Sequence, residues 1–369
     1  MADDTLTGFP RLAGLLETEL RDGTETGVQL SVAHRGRTYE IAVGDNGAGS
    51  PMTTGTFVPW TCSSKPIGAL AFAQAWDKGI VGIEDPVANY LPEYGSGGKS
   101  GVRVRDLLTH TTGVPDPLMN VDPEGTGSMP WEEIDALAWS VICAAEAERR
   151  PGTAMLYNPI TNWFTLDRVL TAACQGRPGD SYRSLFPVLG ISATLGLGQG
   201  LGAGQRVQIA AAPDEMAGLE RMRIAAELPL PGTGVWGPVK DLRAVGEVLL
   251  AGGSAGGAQI VSRSAVEAMT ATHWPGPARR GVVSTIDFPY GLGFMTLPHL
   301  LGRECSFRTY GHAGGNTSSL LVDPVAEIVI AVYWNGRLSD VKTVERRHCL
   351  VTAIYSDLRI PAVNAAPKK

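Results

Sequence analysis

Apolar and polar residues alternate along residues 28–43 (VQLSVAHRGRTYEIAV), with a turn-like Arg-Gly-Arg in the middle. This two-residue period is typical of an antiparallel hairpin. A second pair of strand-like runs lies in SLLVDPVAEIVIAVYWN, on either side of Asp323-Pro324. The pattern therefore predicts a sheet whose strands come from both ends of the chain.

Between these regions, apolar residues recur at three- and four-residue spacing. The residues PIGALAFAQAWDKGI predict a buried helix that stops at Gly79 and has Cys62 in its first turn. The same spacing predicts helices at 131–147, 163–173 and 239–250, and an amphipathic helix at 338–357. The charged residues of that last helix are Asp340, Lys342, Glu345, Arg346 and Arg347.

The helical middle of the chain separates the two strand regions. We therefore predict an α/β (α+β) fold, an antiparallel sheet flanked by helices with an inserted, mainly helical domain. The sheet domain is expected to be discontinuous, at 1–60 and 233–369, the helical domain to span 61–232, and the active site to lie in the cleft between them. The Gly-rich run 195–204 lacks a Walker lysine and is interpreted as a flexible loop.

Composition narrows the class of protein. The 369 residues, 44% of them hydrophobic, are enough for a large core and exclude a disordered chain. A formal charge of -6 argues against nucleic acid as a partner. No apolar stretch approaches the roughly 20 residues of a membrane helix. The start, MADDTLTGFP, has no signal-peptide pattern, so a cytoplasmic protein that uses no membrane is expected. The oligomeric state is not indicated.

Five cysteines, at positions 62, 143, 174, 305 and 349, form no close pairs. An odd number without short spacings supports neither a disulfide framework nor a zinc site. We interpret them as reduced thiols and predict no metal ion or other cofactor.

The run Cys62-Ser63-Ser64-Lys65 carries the candidate chemistry. Side chains three residues apart share one face of a helix, so the thiol of Cys62 and the amine of Lys65 are predicted to touch, whereas Ser63 and Ser64 do not face the lysine. Taken alone, such a cysteine is more often a small core residue and such a lysine is more often exposed. The spacing by itself is therefore weak evidence for catalysis.

Five segments in order make a stronger case. The segments are 62–70, 79–94 (GIVGIEDPVANYLPEY), 102–116 (VRVRDLLTHTTGVPD), 151–159 (PGTAMLYNP) and 310–324 (YGHAGGNTSSLLVDP). In that order, they resemble the SxxK helix, the stretch that follows it, the LLxHxSG segment, the tyrosine loop and the KTG-equivalent strand of the penicillin-binding-protein-like serine hydrolases. That superfamily comprises class C β-lactamases, DD-peptidases, family VIII esterases and related acyltransferases.

The resemblance implies a catalytic set. Cys62 stands where the family has its nucleophilic serine, and Lys65 supplies the amine that accepts the proton of the nucleophile or stabilises its anion. Tyr157 is implied to share this proton network, as a base toward the nucleophile and an acid toward the leaving group. The backbone N–H groups of Cys62 and Gly315 are implied to form the oxyanion hole.

The resemblance also implies substrate-binding residues. His312 replaces the commoner lysine of the KTG-equivalent strand and is expected to orient a substrate carboxyl or the tyrosine hydroxyl. Gly314 is expected to permit close approach of the substrate. Pro159 stands where the family has the asparagine that binds the substrate amide. Asn158 or Asn162 is expected to take over that role.

A thioester reacts with amines in preference to water more strongly than an oxygen ester does. The sequence therefore predicts an acyltransferase of specialised metabolism, such as antibiotic biosynthesis, that passes an acyl group from an ester or thioester to an amine or alcohol. The alternatives are an ester hydrolase (a carboxylesterase or β-lactamase-like enzyme) using the same residues, and a non-catalytic binding protein on the same fold. The identity of both substrates stays open, as does whether Cys62 is native or replaces a serine.

Overall fold

The structure of the protein is a computed structural model. It describes residues 4–23, 25–120, 129–197, 201–202, 204–211, 226–280, 284–287 and 289–361. The strands are β1 (Gly27–His34), β2 (Arg37–Gly44), β3 (Val58–Pro59), β4 (Met155–Leu156), β5 (Thr194–Leu195), β6 (Ala210–Ala211), β7 (Val235–Gly237), β8 (Ser254–Ala255), β9 (Ala258–Gln259), β10 (Pro277–Arg280), β11 (Ser284–Asp287), β12 (Tyr310–Gly314), β13 (Ser318–Asp323), β14 (Ile328–Trp334) and β15 (Gly336–Arg337).

Most helices lie between the two groups of long strands. The helices are α1 (Pro10–Arg21), α2 (Lys65–Asp77), α3 (Val104–Leu108), α4 (Trp131–Ala144), α5 (Thr161–Cys174), α6 (Asp180–Arg183), α7 (Leu185–Val188), α8 (Val239–Leu250), α9 (Arg263–Thr270), α10 (Pro298–Leu301) and α11 (Asp340–Asp357). No helix in the described ranges is long and apolar enough to cross a bilayer.

The main sheet has five strands in the order β12-β13-β14-β1-β2, and every neighbouring pair is antiparallel. The β1–β2 hairpin turns at Arg35 and Gly36, whose φ angles of 48° and 77° suit the twist of a tight hairpin. Strand β1 pairs with β14, so the two ends of the chain meet in the middle of the sheet. The predicted α/β class with an antiparallel sheet is confirmed.

Helices cover both faces of this sheet. In β14, Ile328, Ile330 and Val332 pack in the hydrophobic cluster that contains α1 and α11. The intervening Val329 and Ala331 belong to a second cluster, which contains α8. Alternate residues of a strand point to opposite faces, so a continuous apolar run in β14 indicates a strand buried on both sides.

The second cluster continues from the α8 face of the sheet into the helical region around α2 and α5. Helix α2 is packed tightly there: a Cβ at Gly68 would lie 2.2 Å from Tyr182 Oη and 2.6 Å from Trp163 Cζ3. The sheet strands and the helices around α2 therefore share one apolar core. The division at residues 60/61 and 232/233 into two domains stays a prediction.

The predicted start of α2 needs a correction. Cys62 lies in a 3₁₀ turn, Thr61–Ser64, and the α-helix itself begins at Lys65. The backbone N–H of Lys65 bonds to the carbonyl of Cys62, three residues back. Pro66 has no N–H, so it cannot make the four-residue bond that would extend the helix over Cys62.

The last helix is amphipathic as predicted, but Arg346 does not lie on its polar face. Arg346 is 3% exposed as a residue, and its side chain forms an ion pair with Glu25, whose exposure is the same. Arg346 Nη2 also donates to the carbonyls of Asn316 (3.3 Å) and Gly336 (3.1 Å). The guanidinium thus joins α11 to the turn that follows β12.

The glycine-rich run and the five cysteines complete the description of the fold. The predicted glycine-rich loop includes residues 198–200 and 203, which lie outside the described residues. Each of the five cysteines is a free thiol, and of these Cys305 is buried while Cys62 is partly exposed.

Candidate active site

Hydrogen bonds fix the turn that carries Cys62. Ser64 Oγ donates to the carbonyl of Thr61 (2.6 Å), and Ser63 Oγ donates to the carbonyl of His312 in β12 (3.2 Å). Both serines are fully buried, whereas Cys62 is partly exposed. Cys62 is therefore the one residue of this turn that is not buried.

Lys65 projects from the first turn of α2 into the protein interior. Its side chain is fully buried, and Nζ donates to the carbonyls of Pro159 and Gly232, both at 3.0 Å. The side chain of Cys62 is a neighbour of this amine and acts on its pKa. Burial lowers the pKa of Lys65, while Cys62 and Asp116 oppose that shift. Because a neutral amine has two N–H groups and one lone pair, the two carbonyls leave the lone pair for the thiol.

Tyr157 completes the predicted catalytic set. Its ring centroid lies 5.7 Å from Lys65 Nζ, and its ring is partly exposed. The tyrosine ring lies 4.6 Å from the ring of His110 and 6.4 Å from that of His312, measured between centroids. The structure thus brings Tyr157 and Lys65 together beside the turn that carries Cys62.

The end of β12 lies against the same turn. A Cβ at Gly314 would be 2.1 Å from Thr61 Oγ1 and 2.6 Å from the backbone nitrogen of Cys62. Glycine at this position therefore permits β12 to approach the turn Thr61–Ser64, here called the nucleophile turn because it carries the predicted nucleophile Cys62. This is a second reason for glycine, in addition to the close approach of a substrate that the sequence predicted. Gly315 follows immediately with a φ of +56°. Both residues predicted for the oxyanion hole, Cys62 and Gly315, lie at this junction.

His312 is buried in β12 and its two ring nitrogens have protein partners. Nδ1 lies 2.9 Å from the carbonyl of Ala313, which only accepts, so Nδ1 carries the proton. Nε2 is then the acceptor for the hydroxyl of Tyr290, 2.9 Å away. Burial lowers the pKa of His312 well below its ordinary value, and the nearby Lys65 lowers it further. A substrate group would have to compete with these partners for the imidazole.

Asn158 and Asn162 point into the protein. Asn158 is fully buried, with Nδ2 donating to the carbonyl of Val114 (3.3 Å) and Oδ1 accepting from the backbone N–H of Asn162 (3.3 Å). Asn162 Nδ2 lies 3.3 Å from His110 Nδ1. Both amides are thus used to hold the tyrosine loop, and the predicted contact with a substrate amide stays a prediction.

Two residues beside the site received no role from the sequence. Tyr290 is fully buried and bonds to His312, and burial raises its pKa well above the ordinary value. His110 is fully buried beneath Tyr157. His110 lies in the segment 102–116 that carries the family resemblance, whereas Tyr290 lies in none of those segments, and no spacing rule connects residues 110, 157, 290 and 312. Among the described residues, no three His, Cys, Asp or Glu side chains are arranged to hold a metal ion.

The chain is similar to several known proteins. The esterase EstB of Burkholderia gladioli is 33% identical over 126 residues, which cover 32% of this chain and 31% of that protein. The structure of SurE with D-Leu superposes with a TM-score of 0.68 at 25% identity, covering 98% of this chain and 78% of SurE. EstCE1, a hydrolase with promiscuous acyltransferase activity, superposes with a TM-score of 0.73 at 18% identity, covering 94% and 99%.

The sequence pattern of the beta-lactamase family matches residues 12–350. This range contains the nucleophile turn, the tyrosine loop and the end of β12, and it leaves only short segments at either end unmatched. The protein therefore belongs to the beta-lactamase family and is an enzyme of that family.

Proposed function

We propose that the protein is an acyltransferase that forms an acyl-enzyme at Cys62 and passes the acyl group to an amine or alcohol. The donor is an ester or a thioester, and the setting is the biosynthesis of a specialised metabolite. The observation that carries this proposal is the environment of Lys65, whose amine meets Cys62 with its other hydrogen-bonding positions occupied by two carbonyls.

Acylation begins with the removal of the thiol proton. Lys65 accepts the proton of Cys62, and the resulting ammonium donates to the thiolate and to the carbonyls of Pro159 and Gly232. The burial that lowers the pKa of Lys65 makes its amine available as a base below its ordinary range. No other base is needed for this step.

The thiolate then attacks the carbonyl carbon of the donor. The negative charge that develops on the carbonyl oxygen is stabilised by the backbone N–H groups of Cys62 and Gly315. The tetrahedral intermediate collapses to a thioester, and the leaving alcohol or thiol takes its proton from Tyr157, which Lys65 reprotonates. The acyl group is then bound to sulfur and the donor has lost its leaving group.

In the second half-reaction the acceptor attacks the thioester carbon. Tyr157 takes the proton of the amine or alcohol while passing its own proton to the neutral Lys65, the carbon–sulfur bond breaks, and the Lys65 ammonium returns the proton to the sulfur of Cys62. Two relatives support transfer: EstCE1 combines hydrolase and acyltransferase activity, and SurE was solved with D-Leu, which carries both an amine and a carboxylate. Water as the acceptor gives the alternative function, an ester hydrolase, which the similarity to EstB favours.

The test is intact-mass measurement after incubation with a panel of activated esters, thioesters and a β-lactam. We expect an added acyl mass, and peptide mapping should place it on Cys62. Cys62→Ala should form no adduct, while Ser63→Ala is the matched control and should be acylated. An adduct on Ser63 or Ser64 would rule out the proposed nucleophile.

The choice between transfer and hydrolysis needs a second measurement, the ratio of amide to free acid at a fixed amine concentration. The thioester of the wild-type enzyme should favour the amine. Cys62→Ser keeps the geometry and should shift the ratio toward free acid. A serine variant that is faster and at least as selective for the amine would contradict the role given to the thiol, whereas free acid as the sole product of both forms would establish the hydrolase.

A further inference from the structure

His110 occupies an unusual backbone position beneath the tyrosine loop, residues 151–159. Its φ of +58° lies in the left-handed region, which a side chain such as histidine rarely adopts. The residue follows the end of α3 and its side chain is fully buried. This conformation brings both its carbonyl and its imidazole to the same neighbouring segment.

His110 accepts two hydrogen bonds, one from each of the residues that flank Tyr157. The N–H of Leu156 donates to the carbonyl of His110 (2.9 Å), and the N–H of Asn158 donates to its Nδ1 (3.2 Å). The imidazole also packs against the phenol ring, with centroids 4.6 Å apart and ring planes inclined by 46°. His110 therefore contacts Leu156, Asn158 and the ring of Tyr157.

We propose that His110 is a positioning residue that holds the backbone on both sides of Tyr157 and thereby places the phenol beside Lys65. This inference rests on the proposed function, in which Tyr157 moves protons during acyl transfer. His110 acts through Tyr157 and is assigned no contact with the substrate.

The imidazole is itself held in the form that this role needs. Nδ1 accepts the backbone N–H of Asn158, so it carries no proton and the ring proton lies on Nε2. Asn162 Nδ2, 3.3 Å from Nδ1, therefore also donates to that atom. Burial lowers the pKa of His110 well below its ordinary value, and Lys65 and His312 lower it further. The ring therefore stays neutral, and Nδ1 stays an acceptor.

A purely structural role does not explain this histidine. Its Nε2 is buried and has no hydrogen-bond partner among the described residues, and an unpaired buried N–H destabilises the folded state. A residue chosen for packing alone would also not need a left-handed backbone. What the imidazole provides at this position is the acceptor Nδ1 next to Tyr157.

The test compares His110→Phe, which keeps a ring but removes the acceptor, with His110→Asn. The asparagine Oδ1 can accept at the site of Nδ1, and asparagine tolerates the left-handed backbone. With both proteins verified as folded, we expect His110→Phe to lower the rate of acylation about 10- to 100-fold. The KM for the donor should change by less than about twofold, and His110→Asn should recover most of the rate.

A double-mutant cycle shows whether His110 acts through Tyr157. In a Tyr157→Phe background, adding His110→Phe should lower the remaining rate by less than about twofold. An equal loss in both backgrounds would overturn the inference, as would a wild-type rate for His110→Phe or a His110→Asn variant no better than it. If Tyr157→Phe alone acylates at the wild-type rate, Tyr157 has no role in the mechanism and this inference fails, whereas the proposed function itself fails only if no acyl group is found on Cys62.

Should His110→Phe not fold, His110→Gln replaces it in the comparison. The glutamine amide extends one bond further than Nδ1 and does not reproduce the acceptor, although it retains a polar side chain. We expect His110→Asn to be at least about tenfold faster in acylation than His110→Gln. Equal rates for the two variants would contradict the inference.

Discussion

Gly314→Ala tests whether the close approach of β12 to the nucleophile turn is required for catalysis. The added Cβ would lie 2.1 Å from Thr61 Oγ1, 2.6 Å from the nitrogen of Cys62 and 2.7 Å from the carbonyl oxygen of Trp60. Non-bonded heavy atoms normally stay about 3.5 Å apart, so the strand must recede by about 1 Å from two backbone atoms that cannot rotate away.

This displacement of β12 should lower both the reaction rate and the stability of the fold. A misplacement of about 1 Å in a catalytic arrangement costs about 100-fold in rate, or about 2.7 kcal/mol of transition-state stabilisation. Overpacking should also destabilise the folded protein by about 1–3 kcal/mol. Because Gly315 follows Gly314 directly, the proposed oxyanion hole opens, whereas Cys62 and Lys65 lie within one turn of the chain and stay close to each other.

Two assays separate these effects. Acylation by an activated ester should fall about 100-fold in Gly314→Ala, whereas alkylation of Cys62 by iodoacetamide, which forms no oxyanion, should change less than about threefold. Gly14→Ala is the control, since a Cβ at Gly14 in α1 meets nothing within 4 Å. Acylation by Gly314→Ala within about twofold of wild type would refute this reasoning.

Three further predictions concern charge. Lys65→Ala and Tyr157→Phe should each lower the acylation rate by roughly 100-fold, as measured by stopped-flow mass or absorbance assays, and a near-normal rate would remove that residue from the mechanism. The pKa of His110 is lower in the folded protein than in the unfolded chain, so below pH 6.5 the unfolded chain binds a proton that the folded protein does not, and the stability of the fold should decrease. Because His110→Asn removes this titrating group, its Tm should decrease less between about pH 7 and pH 5 than that of the wild type. Glu25→Gln should destabilise the protein by about 3–5 kcal/mol in urea unfolding, because it leaves buried Arg346 without its carboxylate; a loss below about 1 kcal/mol would contradict this.

Much of the fold could be predicted from local patterns. The two-residue period of residues 28–43 corresponds to β1 and β2, and the helix predicted at 239–250 has the bounds of α8. The start of α2 was predicted three residues too early, because the periodicity of apolar side chains does not register the missing N–H of Pro66. The apolar face of α11 was predicted correctly, but the burial of Arg346 depends on Glu25, which is distant in sequence.

In the candidate site, too, some contacts follow from the sequence and others depend on the folded chain. Cys62 and Lys65 are one turn apart, so their contact follows from spacing alone. Tyr157, His312 and Gly314 were identified through the resemblance to a family, and their proximity in space depends on how separate segments fold. The sequence assigned Asn158 to substrate binding, but the folded chain engages its amide with Val114 and Asn162.

The sequence by itself determined most of the local elements, the proximity of Cys62 and Lys65, and the family. These depend on neighbours within a few residues or on ordered motifs. Only the tertiary structure decided that Lys65 is surrounded by the carbonyls of Pro159 and Gly232, that Tyr290 donates to His312, and that His110 brackets Tyr157. Hydrogen bonds between segments 22 to 167 residues apart, as these are, depend on the packing of the whole core, and no local pattern of residues encodes them.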